Sequence, residues 1–402
     1  MLDRRTFLGV GTAATLGLGA TAARSARTVA EAETVGIRRY VPLGNTGLTI
    51  SDISFGSSRS ADPKLIHHAL ARGVTYFDTA ESYRFGAAEE AMGEGLRGNR
   101  DKVVLASKTK ARAGAKSADI MMALEGSLTR LKTDYLDIYY LHSVNALERI
   151  QNEEWAAFTE RAKEQGKIRF RGMSGHGSRL TTCLDYALDH DLADIILVAF
   201  NFGQDPDFLE RLRNTFNFVD LQPELPARLQ RAREKGVGVI AMKTLMGARA
   251  NDMRPHERPG GTFAQAAFRW VLSTGKTDAL VVSMTDTDQI NEYVGASGDP
   301  KMTEADFELL DRYVALQSES YCRHGCNVCE SACPEGVPIA EVLRTRMYDT
   351  DYADHALARA DYGRLETRAE ACLNCGHQAC ANACPFGLEI PSLTHDAAKR
   401  LG

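Results

Sequence analysis

The sequence predicts an α/β fold: a (β/α)8 TIM barrel followed by a small all-α module. Three observations predict it. Short β-rich runs alternate with amphipathic helical patterns from residue 52 to residue 283. Several of those helices end in glycine just before the next strand. Eight of the nine cysteines fall between Cys322 and Cys384. At 402 residues the chain exceeds one average domain, and the crowding of cysteine at one end implies two modules with different chemistry. Lys and Arg number 48 against 53 Asp and Glu, a net charge of −5 that leaves no basic field for nucleic acid or anionic lipid. An apolar content of 44% excludes a disordered chain.

The strand candidates are Asp52–Phe55, Thr75–Asp78, Val103–Ser107, Asp137–Leu141, Ile168–Met173, Asp194–Phe200, Gly238–Met242 and Ala279–Ser283. Between them, Met121, Leu124, Leu128 and Leu131 recur three and four apart, as do Trp155, Phe158 and Ala162, which marks helix faces. Arg72-Gly73, Gln165-Gly166 and Lys235-Gly236 place left-handed caps ahead of strands. Eight such units in roughly 250 residues is barrel arithmetic. A doubly wound sheet is disfavoured, because Ser54-Phe55-Gly56-Ser57-Ser58 lacks the glycine pattern of a dinucleotide turn. Ahead of the barrel, Arg39–Ile50 reads as a hairpin turning at Gly44-Asn45-Thr46-Gly47.

The first residues read as an address. Arg4-Arg5 with Phe7-Leu8, then an uncharged stretch from Thr6 to Ala23 diluted by Gly and Thr, resembles a twin-arginine export signal; left uncleaved, it would anchor the chain in the membrane. The organisation is therefore a signal and linker over 1–35, the barrel over 36–302, a connecting helix over 303–320 and the cysteine-rich module over 321–402.

Chemistry in such a barrel sits at the C-terminal strand ends. Those ends supply Asp78, Lys108 and His142, with Tyr83 in the loop five residues beyond Asp78. A carbonyl reduced by hydride needs a proton, and a tyrosine with a reference pKa of about 10 is a poor donor at neutral pH. An ammonium at Lys108 is expected to lower that pKa, Asp78 to keep Lys108 charged, and His142 to polarise the carbonyl oxygen. Taken singly, an Asp–Lys pair or a lone His is more often structural.

Thr75-Tyr-Phe-Asp78-Thr-Ala-Glu-Ser-Tyr83, Val103-Val-Leu-Ala-Ser-Lys108-Thr and Asp134-Tyr-Leu-Asp-Ile-Tyr-Tyr-Leu-His142 resemble the three signatures of the aldo/keto reductase family, in order, from about Arg39 to about Ala296. The resemblance implies NAD(P)H-dependent reduction of aldehydes or ketones, with Tyr83 as general acid supported by Asp78, Lys108 and His142. It also implies a nicotinamide site at Ser174, Asn201 and Met242 and a pyrophosphate site at Lys243, Thr244, Leu245 and Gly247. Three departures stand out: the Asn that accompanies Ser174 in the family is missing, Leu197 stands where the family has Gln, and Met242 replaces the stacking aromatic. Adenosine contacts fall to Thr285, Gln289 and their neighbours. That segment carries Asp286, Asp288 and Glu292 and no base, so NAD is preferred over NADP.

The tail contains Cys322-x3-Cys326-x2-Cys329-x3-Cys333-Pro334 and Cys372-x2-Cys375-x4-Cys380-x3-Cys384-Pro385. The x3-Cys-Pro endings are those of bacterial ferredoxin runs, which suggests two 4Fe–4S clusters with crossed ligation: Cys322, Cys326 and Cys329 with Cys384, and Cys372, Cys375 and Cys380 with Cys333. Structural zinc and disulfides are the alternatives. His324 and His377 sit inside the motifs as possible substitutes or second-sphere donors. Helical patterns over Ile339–Arg346 and Tyr352–Leu365, with no strand pattern, make the module resemble a helical ferredoxin, and the pair of modules resembles an iron–sulfur branch of the same family. Cys183, beside Leu180 and Leu184, reads as core. An export route for folded proteins fits clusters assembled before export.

Two readings of the whole chain stay open. In one, the barrel is a working carbonyl reductase or alcohol dehydrogenase on a small-molecule substrate, and the clusters relay electrons to a redox partner protein or brace the fold. In the other, the exported chain is an electron-transfer or binding subunit whose barrel no longer turns over nicotinamide.

Overall fold

The computed structural model describes residues 35–204, 224–246, 253–298, 300–317, 322, 326–351 and 353–402. The twin-arginine segment, Gly247 and His324 lie outside the described residues. Among the described residues ten strands occur: β1 (Tyr40–Pro42), β2 (Thr49–Ser51), β3 (Ile53–Gly56), β4 (Tyr76–Asp78), β5 (Val104–Thr109), β6 (Leu136–Leu141), β7 (Ile168–Gly175), β8 (Ile195–Ala199), β9 (Gly238–Met242) and β10 (Ala279–Ser283). β3 to β10 pair in parallel and close on themselves, β10 against β3, as the expected barrel. The expected strand positions hold to within two residues, but β5 runs on to Thr109, so Lys108 lies inside its strand and does not follow it.

Alternation along each strand sorts its side chains between two cores. Ile138 and Tyr140 of β6, Ile195 and Leu197 of β8 and Ile240 of β9 turn into the barrel, where they meet Tyr76, Val104 and Ala106. Tyr139, Leu141, Ile196, Val198, Val239 and Ala241 turn outward to the helices. Both faces are buried, which is why the strands read as continuous apolar runs.

The β1–β2 hairpin adds Val41, Leu43, Leu48 and Ile50 to the barrel interior and so plugs its floor. Its turn docks on the chain leading into β9: the Asn45 amide donates to the Gly236 carbonyl at 2.7 Å. A Cβ on Gly44, at φ +50°, would fall 2.4 Å from the Gly238 nitrogen, so only glycine fits. Gly73, Gly166 and Gly236 adopt the left-handed conformation expected of caps.

The Glu304–Gln317 helix occupies the connecting segment. It packs Tyr313 on Phe263 of the Phe263–Ser273 helix at 4.7 Å between centroids, and Asp306 pairs with Arg269. Beyond it the described tail holds only helices, including Ile339–Thr350, His355–Tyr362 and Ile390–Leu401, around their own small core of Val342, Ala358, Tyr362 and Leu401. The second expected helix is shorter than its pattern, beginning at His355 after the Asp354 cap. Cys183 is fully buried in the barrel core, as expected.

Candidate active site

Strand parity delivers the four expected groups to one place. Ala106 faces the barrel interior, so Lys108 two residues on does too; Tyr76 and Asp78 repeat the pattern on β4. His142 follows β6, and Tyr83 opens a short 3-10 turn, Tyr83–Gly86. Asp78, Tyr83, Lys108 and His142 line a single cavity of about 140 Å3 at the C-terminal mouth, together with Ser174, Leu197 and Met242.

The Lys108 ammonium pairs with Asp78 Oδ1 and donates to the Thr79 carbonyl at 2.7 Å. Tyr76 donates to the other Asp78 oxygen at 3.4 Å and lies 3.1 Å from the Tyr140 hydroxyl, a second tyrosine layer that the sequence reading missed. Burial pushes the Asp78 carboxyl up and the Lys108 ammonium down, and their contact opposes both shifts. Lys108 Nζ lies 4.9 Å from the Tyr83 ring centroid, and the His142 ring meets the same ring edge-on at 5.5 Å.

One expectation is corrected here. Tyr83 is held well above the usual tyrosine range, by burial and then by Asp78, Tyr348 and Asp361. Lys108 lies near the Tyr83 ring with its charge shared with Asp78, and burial outweighs its pull on the resting phenol. His142 is driven well below the ordinary histidine value by burial and by Lys108, Lys110, Arg149 and Arg364, and its Nδ1 is buried without a partner. The resting site therefore holds a protonated phenol and a neutral imidazole.

The bend behind Tyr83 is unusual. Arg84, Phe85 and Gly86 have φ of 49°, 57° and 93°, three successive left-handed residues, and Phe85 is 85% exposed.

Among the expected nicotinamide ligands, Ser174, Met242, Lys243, Thr244 and Leu245 line the cavity. The Ser174 hydroxyl accepts from the Ser143 amide at 3.0 Å. Thr244 Oγ1 is buried without a partner, the kind of vacancy that a polar ligand fills. Asn201 is not in the lining; it accepts from the Gly203 amide at 3.0 Å and donates to the Lys243 carbonyl at 3.3 Å. Thr285 and Gln289 also lie outside the lining, with Gln289 Oε1 accepting from the Thr285 amide at 2.8 Å.

The sequence reading missed Lys110, His176, Tyr348 and Asp361, which also line the cavity. Lys110 and His176 follow Lys108 and Ser174 by two, a strand-parity signal that was available. The other two come from the tail, and nothing local to their sequence marks them.

All nine cysteines are free, and among the described residues no group of three or more His, Cys, Asp or Glu side chains forms a ready metal site. The thiols nonetheless fall into two quartets. Burial pushes the Cys322 thiol up, and Cys329, Cys326 and Cys384 add to it; Cys329 is pushed up to about 12 by burial, Glu330, Cys384 and Cys326. Cys333, Cys372, Cys375 and Cys380 line a separate small cavity. His377 is exposed.

The sequence model of the aldo/keto reductase family matches residues 43–260, more than half of the chain. The chain belongs to the aldo/keto reductase family. Among curated members, L-galactose dehydrogenase of Arabidopsis thaliana is 26% identical over 315 residues, covering 68% of this chain and 92% of that one. Methylglyoxal reductase YeaE of Escherichia coli is 41% identical over 132 residues, 33% of this chain and 42% of that one. Among solved structures, the holo form of an aldo-keto reductase from Bacillus halodurans superposes with a TM-score of 0.55 at 21% identity, covering 68% of this chain and 95% of that one, a likeness of fold.

Proposed function

We propose that this aldo/keto reductase reduces small aldehydes or ketones with a nicotinamide nucleotide. The observation that carries the reading is the Tyr83–His142–Lys108–Asp78 group on one cavity, with the phenol protonated and the imidazole neutral. When bound, the nicotinamide supplies the hydride, and Ser174, Met242, Thr244 and Leu245 would hold it. Tyr83 gives its proton to the oxygen of the reduced carbonyl. His142 donates a hydrogen bond to that oxygen as charge develops, and the buried Lys108 ammonium stabilises the negative charge left on the phenol. Asp78 keeps Lys108 charged in a site whose burial favours the amine. Tyr83→Phe, assayed by NADH oxidation with propanal, should lose at least about a hundredfold in kcat; an undiminished rate removes Tyr83 from the chemistry.

In this reading the tail would hold two 4Fe–4S clusters, on Cys322, Cys326, Cys329 and Cys384 and on Cys372, Cys375, Cys380 and Cys333; the nearness of Cys384 to Cys322 and of Cys333 to Cys372 and Cys380 supports the crossed pattern of two-cluster ferredoxins. Such clusters supply one-electron capacity or bracing. Arg4-Arg5 supports export by the twin-arginine machinery to the periplasm; replacing both with Lys should leave the protein in the cytoplasmic fraction, and unchanged export refutes the route. The second reading, an exported subunit that no longer turns over nicotinamide, draws support from Leu197 and Met242 in the cavity wall. Assaying iron, sulfide and bound nucleotide after anaerobic purification separates the two.

A further inference from the structure

We propose that the cysteine-rich module is the fixed lid of the catalytic cavity, and that Tyr348 is its specificity-determining residue, limiting the substrate to short carbonyl compounds. The proposal rests on the reductase reading above and adds the substrate limit.

Three polar attachments tie the module to three different loops of the barrel mouth. Asp361 pairs with Lys110, just past β5. The Tyr348 hydroxyl accepts from Lys243, just past β9, at 3.3 Å. Glu341 accepts from the Ser178 amide, in the loop after β7, at 3.2 Å. Arg344 binds the three module groups together: it donates to Tyr348 at 2.9 Å, to Glu341 at 2.7 Å, and lies 3.6 Å from Asp361. This network fixes one tyrosine over the cavity. Tyr348 is 3% exposed, its ring meets the His176 ring edge-on at 6.5 Å, and it lines the same space as Tyr83 and His142.

The space left is small. About 140 Å3 compares with roughly 300–1,000 Å3 for pockets that enclose drug-sized ligands. Tyr348 is the aromatic wall that the module contributes to this space. A module docked only for stability would change activity on all substrates alike when loosened. A wall changes the ranking among them.

The test compares kcat/KM for unbranched aldehydes from propanal to octanal in the wild type, Tyr348→Ala and Tyr348→Phe. In the wild type the values fall as the chain lengthens. In Tyr348→Ala each methylene entering the vacated space gains up to about fourfold, so the hexanal-to-propanal ratio rises by up to about sixtyfold. Tyr348→Phe keeps the wild-type ranking. A ratio unchanged in folded Tyr348→Ala overturns the proposal, and Tyr348→Leu replaces it if the alanine variant loses helical signal. Hydrogen exchange supplies a reading free of catalysis. In Asp361→Ala the Ser178 amide should exchange about tenfold faster while β6 stays protected; unchanged protection overturns the lid. Should the wild type reduce no aldehyde, the reductase reading fails, and the exchange result still decides whether the module is a lid.

Discussion

Lys108→Met tests the buried pair at the centre of the site. Lys108 and Asp78 side chains are 1% and 5% exposed, so removing the ammonium leaves a carboxylate inside the barrel with only Tyr76 beside it. Breaking a buried pair by deleting one partner costs about 3–5 kcal/mol. For a unit of this size that corresponds to a fall in Tm of roughly 6–20 °C. Asp78→Asn combined with Lys108→Met removes both charges and should return to within about 2 kcal/mol of the wild type. Activity follows a different course. Both variants lack the cation that stabilises the Tyr83 phenolate, and both should lose about a hundredfold or more in kcat. Thermal unfolding followed by near-ultraviolet dichroism, paired with aldehyde reduction, reads the two together. The reasoning is refuted if Lys108→Met unfolds within about 2 °C of the wild type. It is equally refuted if the double variant recovers activity along with stability, since the pair would then be structural.

Three further outcomes are expected. Tyr83 must be protonated for reduction and its pKa is raised, so the acid form persists at every pH below that value: kcat for reduction should stay flat from about pH 6 to about pH 9, while alcohol oxidation, which needs the phenolate, should climb about tenfold per pH unit; a reduction rate that halves near neutral pH would contradict this. Cys380→Ser should lower iron content and visible absorbance by about half if the four thiols lining the second cavity hold one of two clusters; stoichiometric zinc in the wild type would remove the cluster assignment. Fluorescence titration should find NADH bound at least about fivefold more tightly than NADPH, because Asp286, Asp288 and Glu292 repel a 2′-phosphate; the reverse order assigns the phosphate to Arg59, which lines the cavity.

The barrel was legible because its signals are local or periodic. Strands buried on both faces write unbroken apolar runs, and Gly73, Gly166 and Gly236 announce helix ends through a conformation few other residues tolerate. That Asp78, Tyr83, Lys108 and His142 would meet at the barrel mouth was legible through strand ends and family motifs. The electrostatic consequence was not: a lowered phenol pKa was expected, but burial governs the resting phenol and raises it. Asn201 carried the right chemistry for a ligand, yet its amide is used to hold Gly203 and Lys243. Tyr348 and Asp361 lie about 250 residues beyond Lys110 in the chain, and no spacing rule links them; only the docked tail brings them to the mouth.

The run of left-handed residues behind Tyr83 has a consequence for anyone hardening this protein against heat. Side chains at Arg84 and Phe85 hold a conformation that costs roughly 1–2 kcal/mol apiece where glycine would sit at ease. Saturating these two positions and selecting for thermal tolerance will therefore favour glycine. The same exchange slackens the peptide that aims the phenol, so the hardiest clones from such a screen will include slow ones, and the rate should be measured before they are kept.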